Sequence, residues 1–397
     1  MRVLFIHEVN YLTKPIFEMH ELPEGLASRG HEVGFVHFPE GTERTSPRLP
    51  FRQRIKGRVE PESQIELFTP WTPNGSISGR LITALSFGVQ FRRILKQFRP
   101  DVVYSYSVPT SGWQALAVCR KKGIPYLFRA LDVSTQIRKS IFTPLVSIAE
   151  RYIYRNADWL SANNQAMLDY AISRSKRDKP SSVNLPPLDV EMFQGVGKSP
   201  NDLRESLGIP ADASVIMFMG SFFYFSGLPE LIQSFASQSA QTDYLLVIGS
   251  GEQEAELREK VNGLGISDRV LFTGFVNFDD LPDYFSIADV AVNPFIPSQV
   301  SNTALPNKVL QYMAAKLPLV STRLTGLEKT FGDKSPGLVF VDSPEDVMPS
   351  ARRLLEDKEY LHSLGEANYQ LVNRLFAKDH AIDEVETLIS NLQVLKS

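Results

Sequence analysis

Lys308 stands in the segment Pro306-Asn307-Lys308-Val309-Leu310-Gln311, where the pattern predicts a helix over 306–315. The first N–H groups of a helix lack intrahelical partners, and its N-terminus carries partial positive charge. The N–H groups of residues 304 to 308 are therefore placed to meet a phosphate, with Thr303, Ala304 and Leu305 leading into the helix. A cation in a first turn opposes the helix dipole. Lys308 is thus a poor choice for helix stability and a good one for an anionic ligand. Gln311 follows about one turn later and is expected to face the same site.

Two turns upstream suit the same chemistry. Val215 to Met219 reads as a buried strand that ends in Gly220-Ser221, and a helix opens near Gly227 with Pro229 in its first turn. Leu245 to Ile248 ends in Gly249-Ser250-Gly251. Glycines here permit close backbone approach to a ligand, and tight turns use them equally. A dinucleotide fingerprint would need Gly at position 254, which is Glu254, so a nicotinamide cofactor is disfavoured. The six histidines show no metal-ligand spacing and no Asp-x-Asp stands at a strand end, so no metal is expected.

The elements that position these residues follow one rhythm of apolar run, loop and helical pattern. In the first half the runs are Val3–His7, Glu32–Phe38, Gln64–Phe68, Asp101–Tyr106, Pro125–Arg129 and Trp159–Ala162. In the second they are Val215–Met219, Tyr244–Gly249, Val270–Thr273, Val290–Pro294, Leu317–Ser321 and Gly337–Val341. Helical patterns alternate with them, which implies parallel sheets covered on both faces. The fold class expected is α/β, with two tandem doubly wound, Rossmann-like domains facing a cleft. Ligands of such sheets bind outside the carboxyl ends of the strands. Pro186, Pro187, Gly195, Gly197, Pro200 and Pro210 set the boundary near 190–210. Residues 40–63 and 69–79 are rich in Pro, Gly, Arg and Ser and are expected to be mobile surface loops.

In this order the motifs resemble GT-B-fold retaining glycosyltransferases of family 4, also called group 1. The matching pieces are Gly220, Gly249-x-Gly251, Val270 to Val276 with Phe275 after Gly274, Ala288 to Pro294, and Pro306 to Thr322. Gly30 to Val33, Asp101 to Tyr104, Ala157 to Ser161 and Asp189 to Phe193 match more faintly. The resemblance implies an N-terminal acceptor-side domain over 1–195, with a helix at about 378–397 crossing back to it. A nucleotide-sugar domain over 196–377 completes it. It implies metal-independent transfer of a sugar, with retention, from a UDP- or GDP-sugar to a glycan, lipid-linked or small-molecule acceptor. Gly220, Ser221, residues 303–305 and Lys308 would meet the diphosphate. The chain departs from the family where Phe222 to Phe225 and Ser226 replace the usual Arg and Lys before Gly227. Thr303 and Gln311 stand where two Glu are usual, and Arg129-Ala130-Leu131-Asp132 occupies a turn that usually holds His. Arg129 or Asp132 is expected to act there. An inactive relative serving as a binding or scaffold partner is the alternative.

Composition bounds the rest. At 43% hydrophobic and 22% charged residues the chain is globular, and its single cysteine excludes a disulfide framework. No apolar run is long enough to span a bilayer and the N-terminus is not a secretory signal, so a cytoplasmic setting is expected. Residues 1–200 hold 27 Lys/Arg against 18 Asp/Glu, and residues 201–397 hold 15 against 27. The basic half is expected to meet an anionic acceptor or membrane surface, not nucleic acid. The expected contact is the 51–58 stretch with Phe51, Arg52, Arg54, Lys56 and Arg58.

Overall fold

The computed structural model describes residues 1–40, 51–134, 142–195 and 197–394. The chain divides into two compact units, Met1–Pro187 with Lys378–Ser397, and Leu188–Ala377.

In the first unit the order is β1 (Arg2–Ile6), α1 (Glu18–Ser28), β2 (Glu32–Val36), β3 (Phe51–Lys56), β4 (Gln64–Thr69), α2 (Ile77–Phe98), β5 (Val102–Ser105) and α3 (Gly112–Lys122). There follow β6 (Tyr126–Ala130), α4 (Thr143–Asn156), β7 (Trp159–Ala162), α5 (Gln165–Ser175) and β8 (Ser181–Val183). The sheet runs β3-β4-β2-β1-β5-β6-β7-β8, parallel throughout except for the β3–β4 pair. Its strands are buried β-rich runs because helices cover both faces. Leu4, Ile6, Val103 and Phe128 meet Phe87, Phe91, Leu116 and Ile153 on one face. On the other, Phe5, Phe35 and Tyr104 pack with Leu22 and Leu26 of α1. The last helix, which begins at Lys378, adds Ile382, Val385 and Ile389 to that second layer.

The second unit contains α6 (Pro200–Ser206), β9 (Ser214–Met219), α7 (Leu228–Gln238), β10 (Asp243–Ile248), α8 (Glu254–Gly263), β11 (Val270–Gly274), α9 (Leu281–Ser286) and β12 (Val290–Asn293). Next come α10 (Gln299–Thr303), α11 (Asn307–Ala314), β13 (Leu319–Thr322), α12 (Thr325–Phe331), β14 (Leu338–Val341), α13 (Val347–Leu354) and α14 (Lys358–Phe376). Its parallel sheet is ordered β11-β10-β9-β12-β13-β14. Ile216, Phe218, Val247, Val292 and Val320 form its core with Leu231, Phe235 and Leu257. Each such side chain withdrawn from water contributes roughly 1.5–3 kcal/mol. Both units are thus Rossmann-like α/β domains.

One expectation is corrected. Residues 51–56 are not loop but the antiparallel edge strand β3, in register with β4 from Phe51↔Thr69 to Lys56↔Gln64. Residues 41–50 of the expected loop lie outside the described residues. Arg52 and Arg54 both reach Glu66 on the neighbouring strand, Arg52 with two short bonds of 2.6 and 2.7 Å. Arg58 donates to the carbonyls of Tyr11 and Lys14 at 2.8 and 2.7 Å. Arg52, Arg54 and Lys56 stay exposed, the first two sharing the Glu66 carboxylate, while Arg58 is tied to backbone carbonyls.

Candidate functional site

In the second unit, the carboxyl ends of β10, β9 and β12 lie side by side, and the loops that follow them are locked together. Gly249 has φ +125°, and a Cβ there would overlap the Gly220 carbonyl oxygen. The Phe222 N–H donates to the Ser250 carbonyl at 3.0 Å, and Gly251 lies against the Phe222 backbone. On the other side Gly227, at φ +69°, abuts the Pro294 carbonyl, and the Ile296 N–H donates to Phe225 O at 2.9 Å. The β9–α7 loop is thereby held between its two neighbours.

Helix α11 enters this arrangement from below. Its Tyr312 hydroxyl accepts the Met219 N–H at 2.5 Å and so fixes the helix to the end of β9. Lys308, one turn earlier on the same face, runs its side chain to Gly220. A Cβ on Gly220 would stand 3.7 and 3.8 Å from the Lys308 Cδ and Nζ. The ammonium sits between two aromatic faces, 4.0 Å from the Phe218 centroid and 3.9 Å from that of Phe295. It is buried and has no hydrogen-bond partner. Burial pushes its pKa well below the ordinary lysine range. The backbone of Phe295 is fixed, because the Thr322 hydroxyl donates to its carbonyl at 2.6 Å.

The backbone adds donors. The N–H groups of Leu305, Asn307 and Lys308 have no partner among the described residues. That of Ala304, expected to be free, instead donates to Ser301 O at 3.2 Å. The Lys308 side chain thus lies beside Gly220, and the start of the helix that carries it has three free N–H groups.

Other expected residues fall differently. Ser221 is exposed at the mouth of the loop, and Gln311 is half-buried on α11. Phe275 is exposed just beyond β11. Ser226 is fully buried, its hydroxyl accepting the Leu228 N–H at 3.4 Å at the start of α7. The Thr303 hydroxyl donates to Gln299 O at 2.9 Å in its own helix. In the first unit Arg129 is buried and holds Glu18 with two bonds of 2.7 Å, besides Ser161 Oγ and Asn184 O. Those bonds engage its guanidinium within the first unit, where Arg129 or Asp132 was expected to act in place of the usual His. Asp132 is exposed two residues beyond β6.

Residues 200–371 match the family described as Glycosyl transferases group 1, and residues 18–182 match the Glycosyl transferase 4-like domain. The chain belongs to the GT-B glycosyltransferases of the group 1, family 4 type. This glycosyltransferase is 26% identical over 348 residues to 2-deoxystreptamine N-acetyl-D-glucosaminyltransferase of Streptomyces fradiae, covering 80% of this chain and 76% of that one. Sucrose-phosphate synthase from Thermosynechococcus elongatus shares its fold with a TM-score of 0.78 at 19% identity, covering 99% of both chains. HepE of Anabaena, solved with UDP-glucose, gives a TM-score of 0.75 at 17% identity, covering 98% and 100%.

The sequence reading missed Phe218, Phe295 and Tyr312 as parts of this site. Tyr312 was traceable: it lies four residues after Lys308, hence on the same helical face. The two phenylalanines were not, since only the β9–β12 pairing brings them together.

Proposed function

We propose that this glycosyltransferase takes its sugar from a UDP-sugar, with retention of anomeric configuration and without a metal ion. The observation that carries the proposal is the Lys308 ammonium, buried without a partner beside Gly220. A buried cation is costly unless an anion accompanies it. The diphosphate of a sugar nucleotide is the anion that fits a cation joined by free helix N–H groups. As the glycosidic C–O bond breaks, negative charge grows on the leaving phosphate oxygen. Preorganised N–H groups and Lys308 stabilise that charge where it develops, which lowers the barrier. Binding requires the Phe295 ring to swing off the ammonium. Solution of HepE with UDP-glucose favours the uridine nucleotide over other bases.

Calorimetric titration with UDP, GDP and UMP tests the donor. UDP binding that is tightest of the three, and at least tenfold weaker in Lys308→Met, is expected. No binding of any nucleoside diphosphate would sink the proposal. NMR of the product formed first from UDP-glucose reads the configuration, and an inverted product would overturn retention. Activity lost to a chelator and restored by Mg²⁺ would overturn metal independence.

A second reading has its own observation. Phe295 covers the one ammonium buried among the described residues, and Thr303 and Arg129 are turned to internal partners. A protein that binds UDP and turns over no UDP-sugar would be the binding partner of an active enzyme instead.

A further inference from the structure

We propose that the outer face formed by α2, α3 and α4 of the first unit docks on the surface of an anionic lipid bilayer. The face is open and apolar where a helix layer should be polar. Leu81, Ile82, Leu85 and Val89 on α2 and Leu145 and Ile148 on α4 are all exposed, Leu85 to 88%. Trp113, at the start of α3 between them, is 41% exposed. Leu81, Leu85, Trp113, Leu145 and Ile148 line a groove of about 1230 Å³, and Ile82 and Val89 extend the apolar surface beside it. An exposed apolar patch of this extent on a protein marks an interaction surface.

Charge selects the partner. Leu81, Leu85, Val89, Arg92 and Lys96 follow one another at helical spacing, so the apolar stripe of α2 continues directly into a cationic one. The other two helices repeat the arrangement. On α3 Trp113 gives way to Arg120, Lys121 and Lys122, and on α4 Leu145 and Ile148 give way to Arg151 and Arg155. All these cations are exposed. The three helices contain no acidic residue except Glu150, which is buried and bonded to the Ser134 N–H and the Tyr170 hydroxyl. The charged groups at the polar end of the groove are already paired: Lys14 with Glu40 at 3.0 Å, and Glu8 with the N–H groups of Thr110 and Ser111 at 2.9 Å.

Apolar side chains beside a field of one sign are what an interfacial helix offers a membrane, and each cation near an anionic leaflet adds attraction. A second copy of this chain fits less well. A two-fold contact sets a face against itself, and here that would oppose cation to cation. The docking also moves the membrane contact from the 51–58 stretch, where Arg52 and Arg54 are paired with Glu66 and Arg58 with backbone carbonyls, to α2, α3 and α4.

The test is co-sedimentation of the full chain with vesicles of phosphatidylcholine alone and of equal parts phosphatidylcholine and phosphatidylglycerol, in 50 mM and 500 mM salt. Binding to the anionic vesicles at low salt, at least tenfold weaker at high salt and on neutral vesicles, is expected. Leu85→Glu and Ile148→Glu change exposed side chains, so the fold should hold, as circular dichroism checks. Each should lower binding at least fivefold. Arg92→Glu with Lys96→Glu should weaken low-salt binding at least fivefold and flatten its salt dependence, while Arg54→Glu with Lys56→Glu leaves binding unchanged. No sedimentation at low salt overturns the proposal. So does full binding by folded Leu85→Glu and Ile148→Glu, or a concentration-dependent dimer that Leu85→Glu dissolves.

Discussion

Gly249 lies backbone against backbone on Gly220, with no room for a Cβ between position 249 and the Gly220 carbonyl. The contact sets how the first turn after β9 faces Lys308. Gly249→Ala must also hold alanine at φ +125°, a region essentially reserved for glycine. The variant should lose about 1–3 kcal/mol of stability. Its UDP affinity should fall at least tenfold as the Gly220 turn shifts. Calorimetry and thermal unfolding on the same sample check it, and unchanged UDP binding would separate the glycine contact from the site.

Lys308 makes the opposite prediction for stability. Its ammonium is buried without a hydrogen-bond partner, so removing the charge relieves the apo fold. Lys308→Met keeps the length and the contacts with Phe218 and Phe295. It should melt no lower than the native chain without ligand, and higher if the apo ammonium is protonated. A charged hydrogen bond is worth about 1.5–3 kcal/mol, so UDP should bind roughly 10- to 150-fold more weakly. A variant that melts lower and binds UDP normally would make Lys308 a packing residue.

The same lysine ties binding to protons. Burial lowers its pKa in the free protein, and a diphosphate beside it raises the pKa again. Between the two values the free protein carries neutral Lys308 and the complex carries the ammonium. Binding then takes up a proton, and UDP affinity falls as pH rises through that window. Calorimetry in buffers of different ionisation enthalpy counts the proton. Zero uptake at every pH at which the native chain binds UDP would contradict this linkage.

Arg129 should act on the fold of the first unit alone. Removing one partner of a buried ion pair leaves the other uncompensated, at a cost of about 3–5 kcal/mol. Arg129→Ala and Glu18→Ala should each lower the unfolding midpoint steeply. Arg129→Met paired with Glu18→Leu should recover much of the loss. Wherever the single variants remain folded, UDP affinity should equal that of the native chain. A folded Arg129→Ala with tenfold weaker UDP binding would restore Arg129 to the donor site.

This pair also marks where sequence reading stops. Every expected strand run formed a strand, because buried parallel strands announce themselves by continuous apolar residues. Lys308 was legible because its conflict with the helix dipole is local. Glu18 and Arg129 are 111 residues apart, and only the packing of α1 on the sheet joins them. Strand β3 was missed because its Arg, Gln and Lys read as solvated loop, although Phe51, Gln53 and Ile55 alternate with the cations. Helix α14 was overlooked although Leu361, Leu364, Leu371 and Val372 follow a helical spacing and are buried.

Acid should weaken the first unit before it touches most carboxylates. His20 and His37 are buried, and burial lowers the pKa of each to about 4 from 6.5. His37 is held neutral between the Thr69 hydroxyl, 2.7 Å from Nε2, and the Tyr11 N–H, which donates to Nδ1 at 3.4 Å. In the unfolded chain both rings take a proton near pH 6.5, while the folded chain resists until about pH 4. The unfolded state therefore binds more protons across that window, and stability is lost as pH falls through it. Each ring should account for about 2 kcal/mol between pH 7.5 and 5, with little further loss below pH 4. Urea unfolding of the native chain at pH 7.5, 6 and 5 measures the slope, and because burial lowers His7 as well, to about 3, His37→Gln should cut it by about a third. A native chain equally stable at pH 7.5 and 5 would mean that neither ring is sealed from solvent.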